Sequence, residues 1–243
     1  MVVTRRVLVT RPQPGAEETA ARLVAMGFAP VVMPLTRIVP LEVKTDVDLA
    51  AFDAVAITSV NAVRCAPSAL LAALKGKPAF AVGDASAAAA RGAGFKDVRS
   101  AAGTARELGA LMLRDCKAGA RVIHPVGRER TPGFAEALSA GGVSLTPLEV
   151  YGADEIVYSS AMLADIAADG PVWGALALSP RAAKLLAGIV ACPEPGNLFA
   201  STRFFCISHN AAALLDRIAR ERIFVSEQPT EESVILMLAA AAA

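Results

Sequence analysis

Arg6-Val7-Leu8-Val9-Thr10-Arg11, followed by a polar helical stretch, Gly27-Phe28 and Pro34-Leu35, returns later in the chain. The second copy reads Arg121-Val122-Ile123-His124, another helical stretch, Gly141-Gly142 and Pro147-Leu148. What lies beyond recurs too. Ala56-Ile57-Thr58-Ser59 pairs with Ala177-Leu178-Ser179-Pro180, and Ala81-Val82-Gly83-Asp84 pairs with Cys206-Ile207-Ser208-His209. Val98-Arg99-Ser100 with Thr104 pairs with Phe224-Val225-Ser226 with Thr230. One run of α/β units used twice predicts two similar domains, with a ligand bound in the cleft they form.

Short apolar runs predict strands at Val7–Thr10, Val31–Pro34, Val55–Thr58, Ala79–Val82, Val122–Pro125, Val172–Leu178, Phe204–Ile207 and Ile223–Val225. Between them lie Ala/Leu/Arg/Glu segments of about 10–14 residues, the length of a crossover helix. Continuous apolar strands joined by helices form parallel sheets buried on both faces, so the fold class is α/β with helix-flanked parallel sheets. Two extended, β-prone segments, residues 34–41 and 147–155, break the alternation at equivalent places in the repeat. Each reads as a crossing from one domain to the other, and the pair as a short antiparallel linker. That organisation gives a discontinuous first domain, residues 1–36 with 153–243, and a second domain, residues 40–149. Two contiguous half-chain domains are the alternative.

Composition narrows the function. Over 243 residues the chain is 54% hydrophobic, which supports filled cores. A net charge of +1 and 5% aromatics leave no nucleic-acid footprint. The apolar stretch from Val234 to Ala243 is too short to span a bilayer. Met1 to Arg6 runs straight into a strand without the pattern of a signal peptide, so a cytoplasmic protein is expected. Cys65, Cys116, Cys192 and Cys206 are widely spaced and read as reduced, mostly buried thiols. His124 and His209 stand alone, without clustered carboxylates, which argues against a metal site.

In open α/β sheets ligands bind beyond the carboxyl ends of the strands. Several strands here run directly into helix caps: Ser59, Asp84, Ser179 before Pro180, and Ser208. Thr104 with Glu107 forms a capping box, Thr131-Pro132 a cap followed by proline, and Thr230 precedes two glutamates. Each such turn presents backbone N–H groups and a positive helix end, together an anion-binding surface. Taken singly, each cap is also an ordinary stabiliser worth about 1 kcal/mol. Arg11, Arg64, Arg128 and Arg181 stand at strand ends, where guanidinium groups either lie in solvent or clamp carboxylates. Tyr151, on a proposed crossing, reads either as a half-buried strand tyrosine or as a phenol that donates to a ligand. No Gly-x-Gly-x-x-Gly, Walker loop or Gly-x-Ser-x-Gly occurs, which argues against nucleotide and α/β-hydrolase chemistry.

Together these residues resemble the uroporphyrinogen-III synthase family from Val7 to about Leu238. The resemblance rests on Val9-Thr10-Arg11-Pro12, Pro34-Leu35, Ile57-Thr58-Ser59-x-Asn61-Ala62-Val63, Ala81-Val82-Gly83-x-Ala85-Ser86-Ala87, Gly127-Arg128-Glu129, Val150-Tyr151, Leu178-Ser179-Pro180-Arg181 and Pro229-Thr230. It implies two α/β domains joined by a two-stranded β linker, and an enzyme that cyclises hydroxymethylbilane with inversion of ring D and loss of water. It implies no cofactor and no metal. The implied partner is the linear tetrapyrrole, with transient handover from hydroxymethylbilane synthase, and a monomeric enzyme that touches neither nucleic acid nor membrane. Thr58, Ser59, Gly83, Ser86, Arg128, Ser179 and Ser208 match the family's cleft-lining turns, and Tyr151 its cleft tyrosine, a source of modest acid assistance. Arg11, Asn61, Asp84, Thr104, Gly127, Pro180, Arg181, His209 and Asn210 complete the candidate substrate contacts. The loop Ser208-His209-Asn210-Ala211 departs from the Gly or Ser followed by a Pro-Thr-like or Glu-Arg-like pair common in the family. The alanine run from Ala239 to Ala243 reads as a frayed tail. Competing readings are a non-catalytic two-domain sensor of an anionic small molecule and a paralogue that has lost the reaction.

Overall fold

The structure, a computed structural model, describes residues 4–43, 47–129, 133–192 and 196–242. The chain starts with β1 (Arg6–Val9), α1 (Gly15–Ala25), β2 (Ala29–Val32) and β3 (Thr36–Pro40). Next come β4 (Ala54–Ile57), α2 (Val60–Arg64), α3 (Ser68–Leu74), β5 (Ala79–Ala81), α4 (Asp84–Gly92) and β6 (Val98–Ser100). Then follow α5 (Ala105–Asp115), β7 (Arg121–Gly127), α6 (Phe134–Ala140) and the long β8 (Ser144–Glu155). The last part holds α7 (Ser160–Ala168), β9 (Gly174–Ala177), α8 (Pro180–Val190), β10 (Arg203–Cys206), α9 (His209–Ala212), β11 (Ile223–Val225) and α10 (Glu231–Ala240).

Two compact units result, Met1–Arg37 with Asp154–Ala243, and Ile38–Ala153. The first holds a five-stranded sheet of order β11-β10-β9-β1-β2, parallel throughout. The second holds a six-stranded sheet of order β3-β8-β7-β4-β5-β6. Its pairs from β8 to β6 are also parallel. Leaving β3 aside, the two sheets are one topology. β1 corresponds to β7, β2 to β8, and β9, β10 and β11 to β4, β5 and β6, as the sequence repeat implies. The extra strand β3 pairs with β8 through Leu41 N–H to the Val150 carbonyl and Ile156 N–H to the Leu35 carbonyl, both 3.0 Å. Residue numbers rise on one strand as they fall on the other, so this pair is antiparallel.

The strands are central because both their faces are apolar and both are covered by helices. In β1, Leu8 packs into one core with Met33, Leu35 and Phe204, while Val7 and Val9 face a second with Leu23, Phe205 and Val234. All three β1 residues are fully buried. In β4, Val55 and Ile57 join one core and Ala54 and Ala56 another, with Phe80.

Local chemistry sets the helix starts. Thr104 accepts from Arg106 N–H at 3.2 Å while Glu107 accepts from Thr104 N–H at 2.9 Å, a reciprocal cap. Ser59, Ser179, Ser208 and Thr230 cap α2, α8, α9 and α10 with their side chains. The Thr131-Pro132 cap lies outside the described residues.

Several expectations are corrected. Asp84 is not a cap: Gly83 takes that place, and the Asp84 carboxylate accepts from Ser100 Oγ at 2.8 Å. β2 begins two residues earlier than its apolar run, because Pro30 is tolerated in an edge strand. β6 has no apolar run; it is a half-buried edge strand of three residues. Of the cysteines only Cys206 is buried; Cys65 and Cys116 are half-buried and Cys192 is exposed. Burial pushes the Cys206 thiol up to about 12. The alanine tail is not frayed through Ala242, since Arg203 donates to the Ala241 carbonyl at 2.8 Å and Arg5 to that of Ala242. Among the described residues no helix is long and apolar enough to cross a membrane.

Leu8→Ala should lower the unfolding free energy by about 2–5 kcal/mol, read as a lower denaturation midpoint. A change within about 0.5 kcal/mol would mean that Leu8 is not a core residue.

Candidate functional site

Both sheets change winding direction at one place, between β1 and β9 in the first unit and between β7 and β4 in the second. At such a switch the outgoing loops turn to opposite faces and leave a crevice at the carboxyl ends of the strands. Each unit has a cavity there.

In the second unit the cavity measures about 730 Å³. The hydrogen-bond ladder joining β4 to β7 stops at Val55 and Ile123. Pro125, which has no N–H to give, lies just past it, so the strands part. Alternation along β7 places His124 and Val126 on the cavity, Arg128 joins them just past the bulge that ends the strand, and along β8 alternation places Leu145, Pro147, Glu149 and Tyr151 there. Thr58 and Ser59, leaving β4, close one side. The N–H of Asn61 donates to Ser59 Oγ at 3.1 Å, so that hydroxyl is used to start α2. His124, only 6% exposed, lies 2.9 Å from Thr58 Oγ1 through Nε2.

Tyr151 is seated by glycine. The β7–β8 register shifts between Val126 and Gly127, so that Gly127 stands opposite Tyr151. A Cβ at Gly127 would be 2.7 Å from Cε2 of Tyr151 and 3.0 Å from its Oη. One residue along each strand the relation reverses: a Cβ at Gly152 would stand 2.8 Å from Nη2 of Arg128. Each glycine thus makes room for the functional side chain of the facing strand. Arg128 N–H also donates to the Tyr151 carbonyl at 2.9 Å. The Arg128 guanidinium reaches Glu129 at 3.2 Å, and Glu129 accepts Ala153 N–H at 3.0 Å. Partial burial works against the Glu129 charge, yet Ala153 N–H and Arg128 outweigh it and hold the carboxyl below its usual range.

In the first unit a smaller cavity, about 260 Å³, is walled by Thr10, Arg11, Leu178, Ser179, Arg181 and Glu231. Thr10 Oγ1 donates to the Leu176 carbonyl at 2.6 Å, bridging β1 to β9. Ser179 Oγ accepts from Ala182 N–H at 3.0 Å and fixes the first turn of α8, on which Arg181 sits. Arg11 is engaged differently from the carboxylate clamp expected of it. Its guanidinium is ion-paired with Glu231, the first residue of α10, and donates to Thr19 Oγ1 at 3.2 Å. Thr19 Oγ1 donates to the other Glu231 oxygen at 2.5 Å, and Arg22 approaches it to 3.5 Å. Arg11 therefore ties α1 to α10.

Thr58, Ser59, Arg128 and Tyr151 share one cavity, and Arg11, Ser179 and Arg181 another. Gly127 adjoins the first through the Tyr151 ring. Asn61 and Pro180 start the helices beside these cavities without lining them. Gly83, Asp84 and Thr104 lie at other strand ends and line neither, although Ala105, next to Thr104, is on the wall of the second unit's cavity, and Ser86 is 5% exposed within α4. Ser208 caps α9, whose first residues, His209 and Asn210, are exposed and line neither cavity. Arg64 is exposed on α2. Sequence reading missed His124, Glu149 and Glu231 as wall residues. The alternation of His124 with Val126 was the available signal for the first.

A larger cavity, about 830 Å³, lies at the amino ends of the first unit's strands, around Arg5, Arg6 and Trp173. Its cations are already committed to carbonyls ending helices: Arg6 to Ile166 at 2.9 Å, and Arg5 to Ala242. Size alone does not make it the better anion site.

Removing the carboxylate that holds Arg11 tests the tie. Glu231→Gln should cost about 1–2 kcal/mol of stability, seen as a lower melting temperature. An unchanged melting temperature would mean that the network contributes nothing.

The family model described as Uroporphyrinogen-III synthase HemD matches residues 17–235. No curated protein sequence matches the chain. Among solved structures, uroporphyrinogen-III synthetase from Helicobacter pylori aligns over 99% of this chain and 100% of its own, with TM-score 0.67 and 17% identity. A mutant uroporphyrinogen III synthase from the extremely thermophilic bacterium Thermus thermophilus aligns over 99% of each chain, with TM-score 0.53 and 16% identity. At such identities these two similarities speak for the fold, while the family match spans most of the sequence. With its repeated α/β architecture and matched family sequence, the chain belongs to the uroporphyrinogen-III synthase family.

Proposed function

We propose that this chain converts hydroxymethylbilane to uroporphyrinogen III, closing the tetrapyrrole with inversion of ring D and release of water. The observation that carries the reading, beside family membership, is the cavity of the second unit, where Tyr151 and Arg128 are seated by reciprocal glycines. The bilane bears an acetate and a propionate on every pyrrole, so recognition is recognition of carboxylates. Arg128 and Arg181, each on the wall of a strand-end cavity, are the cations we assign to them. Arg11 is assigned to the support of α1 and α10 instead, because its guanidinium joins Thr19 on α1 to Glu231 on α10.

The chemistry is an elimination followed by ring closure. The hydroxyl leaves and the pyrrole nitrogen lone pair forms an azafulvene. The α-carbon of ring D that already carries its bridge then attacks, giving a spiro-pyrrolenine that rearranges to the inverted ring. No redox change separates bilane from product, so the conversion calls for no redox cofactor. Free bilane closes spontaneously to the symmetric isomer. The protein must therefore direct the geometry, and positioning is the larger part of its effect. Tyr151 hydrogen-bonds the departing hydroxyl, a modest contribution because that group leaves readily. Spontaneous closure also favours direct handover of the bilane from hydroxymethylbilane synthase, to a monomer of this chain.

The test is to generate hydroxymethylbilane in situ, add the protein, oxidise, and separate the porphyrin isomers. Isomer III is expected; isomer I alone from folded protein would refute the assignment. Tyr151→Phe should reduce kcat by about 10²-fold or less with little change in KM. Complete loss of activity in a folded variant would contradict a mechanism dominated by positioning. Gly127→Ala should displace the phenol and lower kcat to a similar degree. Added to Tyr151→Phe, it should cost less than it does alone, because both changes act through one ring. Full additivity would show that Gly127 does not act through Tyr151.

A further inference from the structure

Resting on that reading, we propose that Thr58 and His124 form a proton relay for departure of the bilane hydroxyl, with Thr58 touching substrate and His124 acting through it. Both stand at the switch between β4 and β7, Thr58 as the first residue beyond β4 and His124 within β7. Thr58 Oγ1 and His124 Nε2 are 2.9 Å apart. Thr58 is half-buried on the wall of the cavity that holds Tyr151, whereas His124 is 6% exposed. The Phe134 ring meets the imidazole edge-on, with centroids 5.6 Å apart, and walls that side. An imidazole so placed exchanges a proton with substrate through the hydroxyl between them.

Imidazole is also the better suited acid. A phenol ordinarily ionises near pH 10, whereas imidazole does so near neutrality, where a proton is both available and readily given. As the CH₂–O bond of the bilane breaks, the leaving oxygen takes the Thr58 Oγ1 proton, and Thr58 takes one from Nε2–H of the imidazolium. The pyrrole nitrogen lone pair supplies the electrons of the new exocyclic double bond. Water leaves, and His124 is neutral. When the closed ring loses its surplus proton and regains aromaticity, that proton returns through Thr58 to Nε2. The cycle balances with water as its only by-product.

Among the described residues, the other ionisable groups on this cavity are Arg128 and Glu129 beyond β7, Glu136 on α6, and Glu149 and Tyr151 on β8. Arginine, glutamate and tyrosine ordinarily titrate outside the interval of about pH 5–8 that histidine occupies. A rate limb that the His124→Gln change removes is therefore the signature of the relay. The acid form is the active one, so kcat should fall as pH rises through the limb.

The experiment measures initial rates of isomer III formation against pH, with spontaneous isomer I counted separately. His124→Gln, whose amide keeps a partner for Thr58, should lose the neutral limb and about tenfold or more in kcat, with KM within about twofold. Thr58→Val should do the same, Thr58→Ser should retain the limb, and Tyr151→Phe should retain it at a lower rate. A His124→Gln enzyme with the wild-type limb and rate would overturn the relay. If that variant fails to fold, Thr58→Val decides, and a wild-type limb there overturns it equally. Isomer I alone from the wild-type protein would refute the parent reading, and the relay with it.

Discussion

Where connections leave a parallel sheet in opposite directions a crevice opens beyond the carboxyl ends of the strands, and this chain has two such switch points. The parting of β4 from β7 places Thr58 over His124 and opens the cavity that Tyr151 lines. Where the β1–β9 pair ends, Thr10 bridges to the Leu176 carbonyl beside the turn that Ser179 caps. The chemistry assigned to the molecule depends on these two switch points. They in turn depend on cores that fix the strands rigidly, with Val7 to Val9 and Ala54 to Ile57 almost wholly buried. Rigid strands hold side chains to a geometry that loops do not.

Packing sharpens that geometry. The Tyr151 ring lies over Gly127 and the Arg128 guanidinium over Gly152, so each occupies a space that a Cβ on the facing residue would fill. The carboxylate that turns back onto Arg128, Glu129, is itself fixed by a backbone N–H of β8. In the other unit, Glu231 takes the Arg11 guanidinium into the body of the protein. The arginines at the two strand ends both line a cavity and are both ion-paired, Arg11 with Glu231 of a distant helix and Arg128 with the adjacent Glu129.

The repeat of apolar runs was enough to read two parallel α/β sheets, because burial on both faces leaves an uninterrupted hydrophobic signature. Edge strands were harder. β6 offers only Val98 to the core, and β2 begins around Pro30, which no rule for central strands would admit. Caps were legible as hydroxyls before helices, except at Asp84, where Ser100 draws the carboxylate away and glycine starts the helix. Partners distant in sequence were not legible. Nothing near Arg11 announces Glu231, 220 residues away, and nothing near Thr58 announces His124. His124 sat within an apolar run and looked like a strand residue; only the register of β7 shows which face it joins.

The central claim is that binding occurs beyond the carboxyl ends of the strands and not in the larger cavity at their amino ends. Amide chemical shifts of the labelled protein, titrated with uroporphyrinogen III under reducing conditions, test it directly. The account expects shifts concentrated at Thr58, Ser59, Arg128, Tyr151, Ser179 and Arg181. Shifts confined to Arg5, Arg6 and Trp173, with those strand ends unmoved, would contradict it.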